Sequence, residues 1–409
     1  MNIVKRNGST EAFDLNKVIS RIARESDGLN LLSPSSIADK VLPYIMDGMT
    51  TKEVDELIAN RCADLILKSP DYSLLGGRIL MTRQSKILDR RLKSVDRTYD
   101  FFAANTFLDR YAMKSAEGEP LELPSMMYKR VADHLYSDDE LEDKNELLTE
   151  LHEKKINFAT PTYTNAGIEG RNGMISCQIV HLKEDSKEGI TETLNKISFG
   201  SASGSGIGLC IDNLRSKDTL VSSFKGTAGG VVRLADMVQS SMRFFKQGDR
   251  AGSCALYLST WHRDIMDYLS ITLPIGEEKL RMRDLFTAVT VDDVFMNCLL
   301  SGEDYYTFCP HQIKLAGLPA LHDVAREEFK TVYNQAVALG IGKAISPKTI
   351  WDSIITAQVE SGRPYVFYKD NANKRNMQDN IGIVKQSQLC IEIMTASKPG
   401  YSPQCTLGS

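Results

Sequence analysis

Near the end of the chain, Gln388, Cys390 and Glu392 alternate within the run Lys385-Gln386-Ser387-Gln388-Leu389-Cys390-Ile391-Glu392-Ile393. In an extended segment, side chains two residues apart point the same way. The spacing therefore predicts a carboxamide, a thiol and a carboxylate able to share one substrate. A carboxylate so placed serves as a general base, and an amide orients hydroxyls by hydrogen bonding. The chain has eight cysteines: Cys62, Cys177, Cys210, Cys254, Cys298, Cys309, Cys390 and Cys405. They are too sparse to staple a small domain, and no CxxC or Cys/His cluster points to zinc or another metal. Taken singly, each reads as a buried small hydrophobe.

Other groups suit phosphate. Lys5 and Arg6 stand beside an Asn7-Gly8 turn, and phosphates require cations held by a rigid turn. Lys17 falls one turn into the following helix, near amides able to meet a triphosphate. The glycine run Ser203-Gly204-Ser205-Gly206-Ile207-Gly208 permits close backbone approach, as phosphate-cradling loops require. It lacks the acidic ribose-binding residue of a dinucleotide motif. Trp261 and His262 read as packing residues, because His262 has no Cys or carboxylate at metal-ligand spacing.

These groups need elements to position them. Residues 1–90 read as a small, mostly helical module opened by a hairpin, and residues 91–156 as a helical region. From residue 157 to 409 the texture is α/β. Strands near 175–180, 207–211, 255–258 and 365–368 alternate with helices near 187–200, 229–245, 291–300 and 348–360. Residues 380–409 read as an extended loop with one short strand around 389–394. A sheet ending just after a strand leaves edge groups that another element is expected to cover. Apolar residues make up 42%, charged residues 25% and the formal charge is −4, a globular balance that argues against a polybasic nucleic-acid surface. No apolar run reaches membrane-spanning length, and residues 1–9 lack the apolar core of a signal peptide. The expectation is a cytoplasmic chain, in a bacterium or a virus-infected cell, with reduced cysteines and neither membrane nor nucleic-acid partners.

The opening Val4, Lys5, Arg6, Gly8, Glu11, Phe13, Asp14 and Lys17 resemble the ATP-cone at the front of many ribonucleotide reductases. There ATP switches activity on and dATP switches it off. The resemblance assigns Lys5, Arg6, Glu11 and Lys17 to this activity site. Thr160-Pro161-Thr162, Asn165-Ala166-Gly167 and Ser176-Cys177 resemble one wall of the same family's substrate pocket, which implies that Thr162 and Ser176 contact the ribonucleotide. Asp185-Ser186 and the glycine run resemble the approach to the allosteric specificity site, where Asp185 would hold the effector's ribose or base and Arg215 its phosphates. Lys246-Gln247-Gly248-Asp249-Arg250-Ala251-Gly252 resembles the loop relaying effector identity, with Arg250 nearest the substrate. Gly362-Arg363-Pro364-Tyr365, Asp370 and the run from Lys385 to Ile393 resemble the finger loop that enters a ten-stranded α/β barrel.

That resemblance implies a fold: an N-terminal ATP-cone, a helical region and the first half of the barrel. It also implies a reaction, for which no cofactor binds this chain directly. Cys390 becomes a thiyl radical and abstracts the 3′ hydrogen of the ribose, Glu392 acts as base and Gln388 orients the sugar. Cys177 and Cys405 supply the electrons and form a disulfide as the 2′ hydroxyl leaves as water. Gln388 departs from the family's asparagine, and an uncompensated extra methylene would weaken positioning by about tenfold to a hundredfold.

A complete family member continues with five more strands, the diphosphate-binding loops, two adjacent radical-carrying tyrosines and a C-terminal cysteine pair. The chain is therefore expected to act with a separately encoded C-terminal half, as a split-gene product rather than a truncated fragment, and not to turn over alone. The other implied partners are a di-iron radical-generating subunit, further catalytic subunits, and thioredoxin or glutaredoxin, with ATP, dATP and other deoxynucleoside triphosphates as effectors. The alternative is a nucleotide-binding regulatory or inactive fragment with structural cysteines, which leaves the ordered set of Cys177, Cys390, Glu392 and Cys405 unexplained.

Overall fold

The opening residues form two short strands, Asn2–Val4 (β1) and Thr10–Ala12 (β2), which pair antiparallel about the Asn7-Gly8 turn. Gly8 has φ +81°, a left-handed conformation open to glycine without a Cβ penalty. Asp14 then caps the helix Leu15–Glu25, accepting a hydrogen bond from the Asn16 amide. Thr50 and Glu53 close a capping box at the start of helix Thr51–Ala63. These helices, with Pro34–Val41 and Asp71–Ile87, bury Ile22, Ile37, Ile58, Leu75 and Ile79. Helices Pro124–Leu135 and Leu141–His152 follow. The computed structural model describes residues 1–137, 140–171, 173–221, 228–246, 252–398 and 401–409. The chain divides into two units, Met1–Asn172 with Gly408–Ser409, and Gly173–Leu407.

The second unit is built on Cys177–His181 (β3), Gly206–Cys210 (β4), Cys254–Ser259 (β5) and Phe286–Val291 (β6). A small antiparallel pair, Tyr305–Thr307 (β7) and Lys343–Ile345 (β8), stands apart. Tyr365–Tyr368 (β9) and Gln404–Cys405 (β10) complete a six-stranded sheet of order β10-β3-β4-β5-β6-β9. Strands β3 to β9 run parallel in this sheet, with helices such as Lys187–Ala202 and Gly230–Phe244 in their connections, while β10 is antiparallel.

Side chains alternate across this sheet. Ile207, Leu209, Leu256, Leu258, Val289 and Val291 join the large core with the helices. Cys210, Ala255, Tyr257, Ala288 and Phe367 point to the other face and form a second cluster with Val384, against which Leu389 and Ile391 pack. The second face therefore carries the segment leading to Cys390.

Two expectations are corrected. The strand around 389–394 does not form: Leu389 and Cys390 make a turn, and Ile391 has φ +65°. Short polar side chains win over the extended backbone here. The Gln388 carboxamide accepts the Cys390 amide two residues on, at 2.5 Å. The Ser387 hydroxyl donates to the Ile393 carbonyl at 2.7 Å and accepts the Ile393 amide at 3.1 Å. The second correction is an addition. Strand β6 and helix Arg326–Ala338 are present although the periodicity reading did not place them.

Candidate active site

Cys177 opens β3, directly opposite Cys405 on β10. The Ser176 amide donates to the Cys405 carbonyl at 2.8 Å, and the Ser176 hydroxyl accepts the Leu407 amide at 3.1 Å. Ser176 and the two cysteines are thereby fixed along one strand pair, with the Ser176 hydroxyl proton left to offer a ligand.

The segment carrying Cys390 crosses the inner face of the sheet. The Asn373 side chain holds Val384 by both its amide and its carbonyl, at 2.9 and 2.8 Å. Gln386, fully buried, donates to the carbonyls of Val180 and Gly208 at 2.9 and 3.1 Å. Lys385 pairs with Asp323. The loop then lies on β4 at two glycines, by its backbone at Gly208 and by the Leu389 side chain at Gly206. A Cβ on Gly208 would come within 2.4 Å of the Ser387 carbonyl oxygen, and one on Gly206 within 2.9 Å of the Cys177 sulphur. This revises the expectation for the glycine run. The close approach that Gly206 and Gly208 permit is that of the chain's own loop.

At the loop's turn Cys177 and Cys390 are near enough for each thiol to influence the other. The Glu392 carboxylate lies near enough to act on Cys177, Cys390, Cys405 and the Tyr257 phenol. Burial, followed by the neighbouring Cys390 and Glu392, pushes the Cys177 thiol up to about 12. Partial desolvation and Glu392 also raise the exposed Cys390, against the pull of the neighbouring Cys177, and raise Cys405. Three thiols thus stay protonated at neutral pH around one carboxylate. A turn rather than strand alternation makes Cys390 and Glu392 neighbours. Gln388 does not join them in the expected way, because its side-chain oxygen is taken by the Cys390 amide and its buried Nε2 has no partner among the described residues. Tyr257, whose phenol donates to the Gln388 carbonyl at 2.6 Å, was not singled out in the sequence. Its signal there is a large polar aromatic in an otherwise apolar strand.

The other expected residues belong to other elements. Thr162 belongs to the first unit, buried on helix Thr160–Asn165. Arg250 and most of its loop lie outside the described residues. Asp185 and Arg215 are brought together at 2.5 Å, and they line a cavity of about 380 Å³ with Lys183, His311 and Lys314. Trp261 and His262 are buried, with His262 Nε2 2.8 Å from the Leu214 carbonyl, as packing residues should be.

In the first unit, Lys5, Arg6, Glu11 and Lys17 line a cavity of about 610 Å³ together with Arg21, Arg24 and Lys86. Glu11 bridges Lys5 at 2.9 Å and Lys17 at 2.8 Å, and its carboxyl is lowered by Lys17 and then Lys5. Lys86 is lowered by burial and by the nearby Arg21. Sequence reading missed Arg21, Arg24 and Lys86, since they lie beyond the hairpin motif. The excess of cations suits a polyphosphate.

Comparison with known proteins matches three family models along the chain: the ATP cone domain over residues 1–87, the all-alpha domain of ribonucleotide reductase over 97–171, and its barrel domain over 175–409. The chain is 30% identical to the ribonucleoside-diphosphate reductase large chain 2 of Saccharomyces cerevisiae, covering all of this chain and 51% of that one. It is 31% identical to the large chain of Schizosaccharomyces pombe and to the large subunit of Vaccinia virus, again over its full length, covering 55% and 58% of those proteins. The chain spans about half the length of the curated relatives it matches.

Proposed function

The chain belongs to the ribonucleotide reductase large-subunit family, and from that footing we propose that it supplies the reacting cysteines for reducing ribonucleoside diphosphates to deoxyribonucleoside diphosphates. The observation carrying this reading is the register of Cys177 directly opposite Cys405, with the loop that carries Cys390 and Glu392 seated on the neighbouring strand β4.

In the proposed reaction a separate di-iron subunit supplies the oxidising equivalent. Cys390 gives up its hydrogen atom, and the thiyl radical abstracts hydrogen from the 3′ carbon of the ribose. Glu392 accepts the 3′ hydroxyl proton as the 2′ hydroxyl leaves as water, taking a proton from the Cys177 side. Cys177 and Cys405 give up two electrons and two protons and close a disulfide, one proton leaving in the water and the other filling the vacated 2′ position. Glu392 returns its proton to the 3′ oxygen, and Cys390 gives the abstracted hydrogen back to the 3′ carbon and is left once more as the thiyl radical. An external dithiol protein, thioredoxin or glutaredoxin, then reopens the disulfide. Raised thiols fit this chemistry, because the hydrogen atom leaves an S–H group and not a thiolate.

ATP and dATP are assigned to the cationic cavity of Lys5, Arg6 and Lys17, and triphosphate effectors to that of Asp185 and Arg215. A triphosphate at the latter competes with Asp185 for the Arg215 guanidinium. A separately encoded chain is assigned the remainder of the barrel. Strand β9 has room for a further barrel strand, since among the described residues it pairs only with β6 and leaves one row of backbone groups open. Assembled subunits associate with one another and with the radical subunit.

The test is co-expression with a candidate C-terminal half, followed by assay of ribonucleoside diphosphate reduction with the radical subunit and a dithiol reductant. Deoxynucleotide formation supports the reading. A folded, assembled and inactive complex contradicts it and leaves the chain a nucleotide-binding regulatory protein.

A further inference from the structure

We propose that Tyr257 is a positioning residue for Cys390, acting through Gln388. The catalytic meaning rests on the reading of Cys390 as the reacting cysteine, whereas the positioning relation can be tested without turnover.

Tyr257 is fully buried on β5 and points to the loop side of the sheet. Its ring is held edge-on by Phe367, at 6.3 Å between centroids, so the phenol has a fixed direction. That phenol donates to the Gln388 carbonyl at 2.6 Å. Gln388 passes the constraint on, because its side-chain oxygen accepts the Cys390 amide. On the same face of the sheet, Gly208 of the neighbouring strand leaves the backbone of Ser387 and Gln388 space to press against β4. The residue before the turn is therefore clamped from two strands, and the turn itself is tied to that residue's side chain. Beyond it Ile391 is left-handed, a conformation that a β-branched residue adopts only when its surroundings hold it there.

The consequence is specific to this loop. Without the phenol, the Gln388 carbonyl is left buried without a donor and the turn loses its anchor on β5. The Cys390 sulphur then no longer meets the Cys177 thiol in one fixed place, while the Cys177–Cys405 strand pairing stays as it was.

The experiment uses the full chain and the variant Tyr257→Phe, which keeps the ring and removes the hydroxyl. A short bis-reactive bimane bridges neighbouring thiols, and peptide mapping counts the Cys177–Cys390 and Cys177–Cys405 bridges. Hydrogen exchange of residues 387–393 is followed in parallel. The expected result is a Cys177–Cys390 yield lowered about fivefold relative to Cys177–Cys405, with loop exchange faster by a similar factor, as loss of one buried hydrogen bond implies. An unchanged ratio, or both bridges falling together as in general destabilisation, overturns the proposal. Gln388→Ala provides a second route should the tyrosine variant fold poorly. It should lower the same ratio, and an unchanged ratio there also overturns the proposal. Loss of the Cys390 radical assignment, judged by turnover of Cys390→Ser in the assembled enzyme, would leave these measurements standing.

Discussion

Cys177 and Cys405 face one another in register across the antiparallel pair of β3 and β10, although most of the second unit's sequence lies between them. Opposed residues in such a pair have Cα atoms about 4.5–5.5 Å apart, inside the roughly 4.4–6.8 Å window of a disulfide. Oxidation of the isolated chain by a small disulfide should therefore bridge Cys177 and Cys405, while buried Cys62 and Cys254 stay reduced. Because Cys177, Cys390 and Cys405 are all raised above the ordinary thiol range, the attacking thiolate is scarce at neutral pH. The rate should climb about tenfold per pH unit between roughly pH 7 and 9. Peptide mapping against pH measures this, and a flat profile would contradict the protonated cluster.

Gly208 is where the loop rests on β4, and a Cβ there meets backbone rather than a movable side chain. Gly208→Ala should destabilise the loop seat by about 1–3 kcal/mol, the usual range for overpacking. Circular dichroism should change little. Faster hydrogen exchange across residues 385–393 is the expected reading, and unchanged exchange would show that the loop is not seated on β4.

Arg24 and Lys86 belong to the cationic cavity of the first unit although they lie outside the opening motif. Replacing both with alanine should weaken ATP binding about tenfold or more, since each removes a charge-assisted contact to phosphate. Calorimetric titration of the full chain checks this. Unaltered affinity would move the nucleotide away from that cavity.

His181 tests pH dependence. Burial, then repulsion from Lys385 and His322, lowers it to about 3, and its Nε2 lies 2.8 Å from the Ser397 hydroxyl. Folded chain thus holds the ring neutral where the unfolded chain charges it. Its contribution is fully present above the ordinary histidine value and is lost as pH falls from about 6.5 towards 3. Across that window the unfolding free energy should fall by about 1.4 kcal/mol per pH unit for this one proton. Denaturant titrations of His181→Asn should show a slope reduced by that amount. An unchanged slope would assign the acid sensitivity to other groups.

Much of this architecture is readable in the residues themselves. The Asn7-Gly8 hairpin, the alternation of Gly206–Cys210 and the apolar run of Cys254–Ser259 each carry a local pattern with one structural solution. The loop at Cys390 is different. Its sequence alternates as a strand would, yet Gln388 and Ser387 capture nearby backbone groups and turn it. That competition is settled by the surface beneath, where Gly206, Gly208 and Tyr257 come from strands far away in sequence. Resemblance gave roles to the cysteines and to Glu392, but it did not show that the tyrosine and glycines seat the loop that carries them. The cation set of Arg21, Arg24 and Lys86 is hidden for the same reason, being assembled by helix packing and not by a contiguous motif.

The central claim is that Cys390 starts a reduction whose electrons come from Cys177 and Cys405. A single-turnover assay of the complemented enzyme, without external dithiol, tests it most directly by counting deoxynucleotide and disulfide together. The account predicts one Cys177–Cys405 disulfide for each deoxyribonucleoside diphosphate formed by the unaltered chain. It predicts neither product from an assembled Cys390→Ser variant. Deoxynucleotide produced by that variant, or produced without the disulfide, would contradict it.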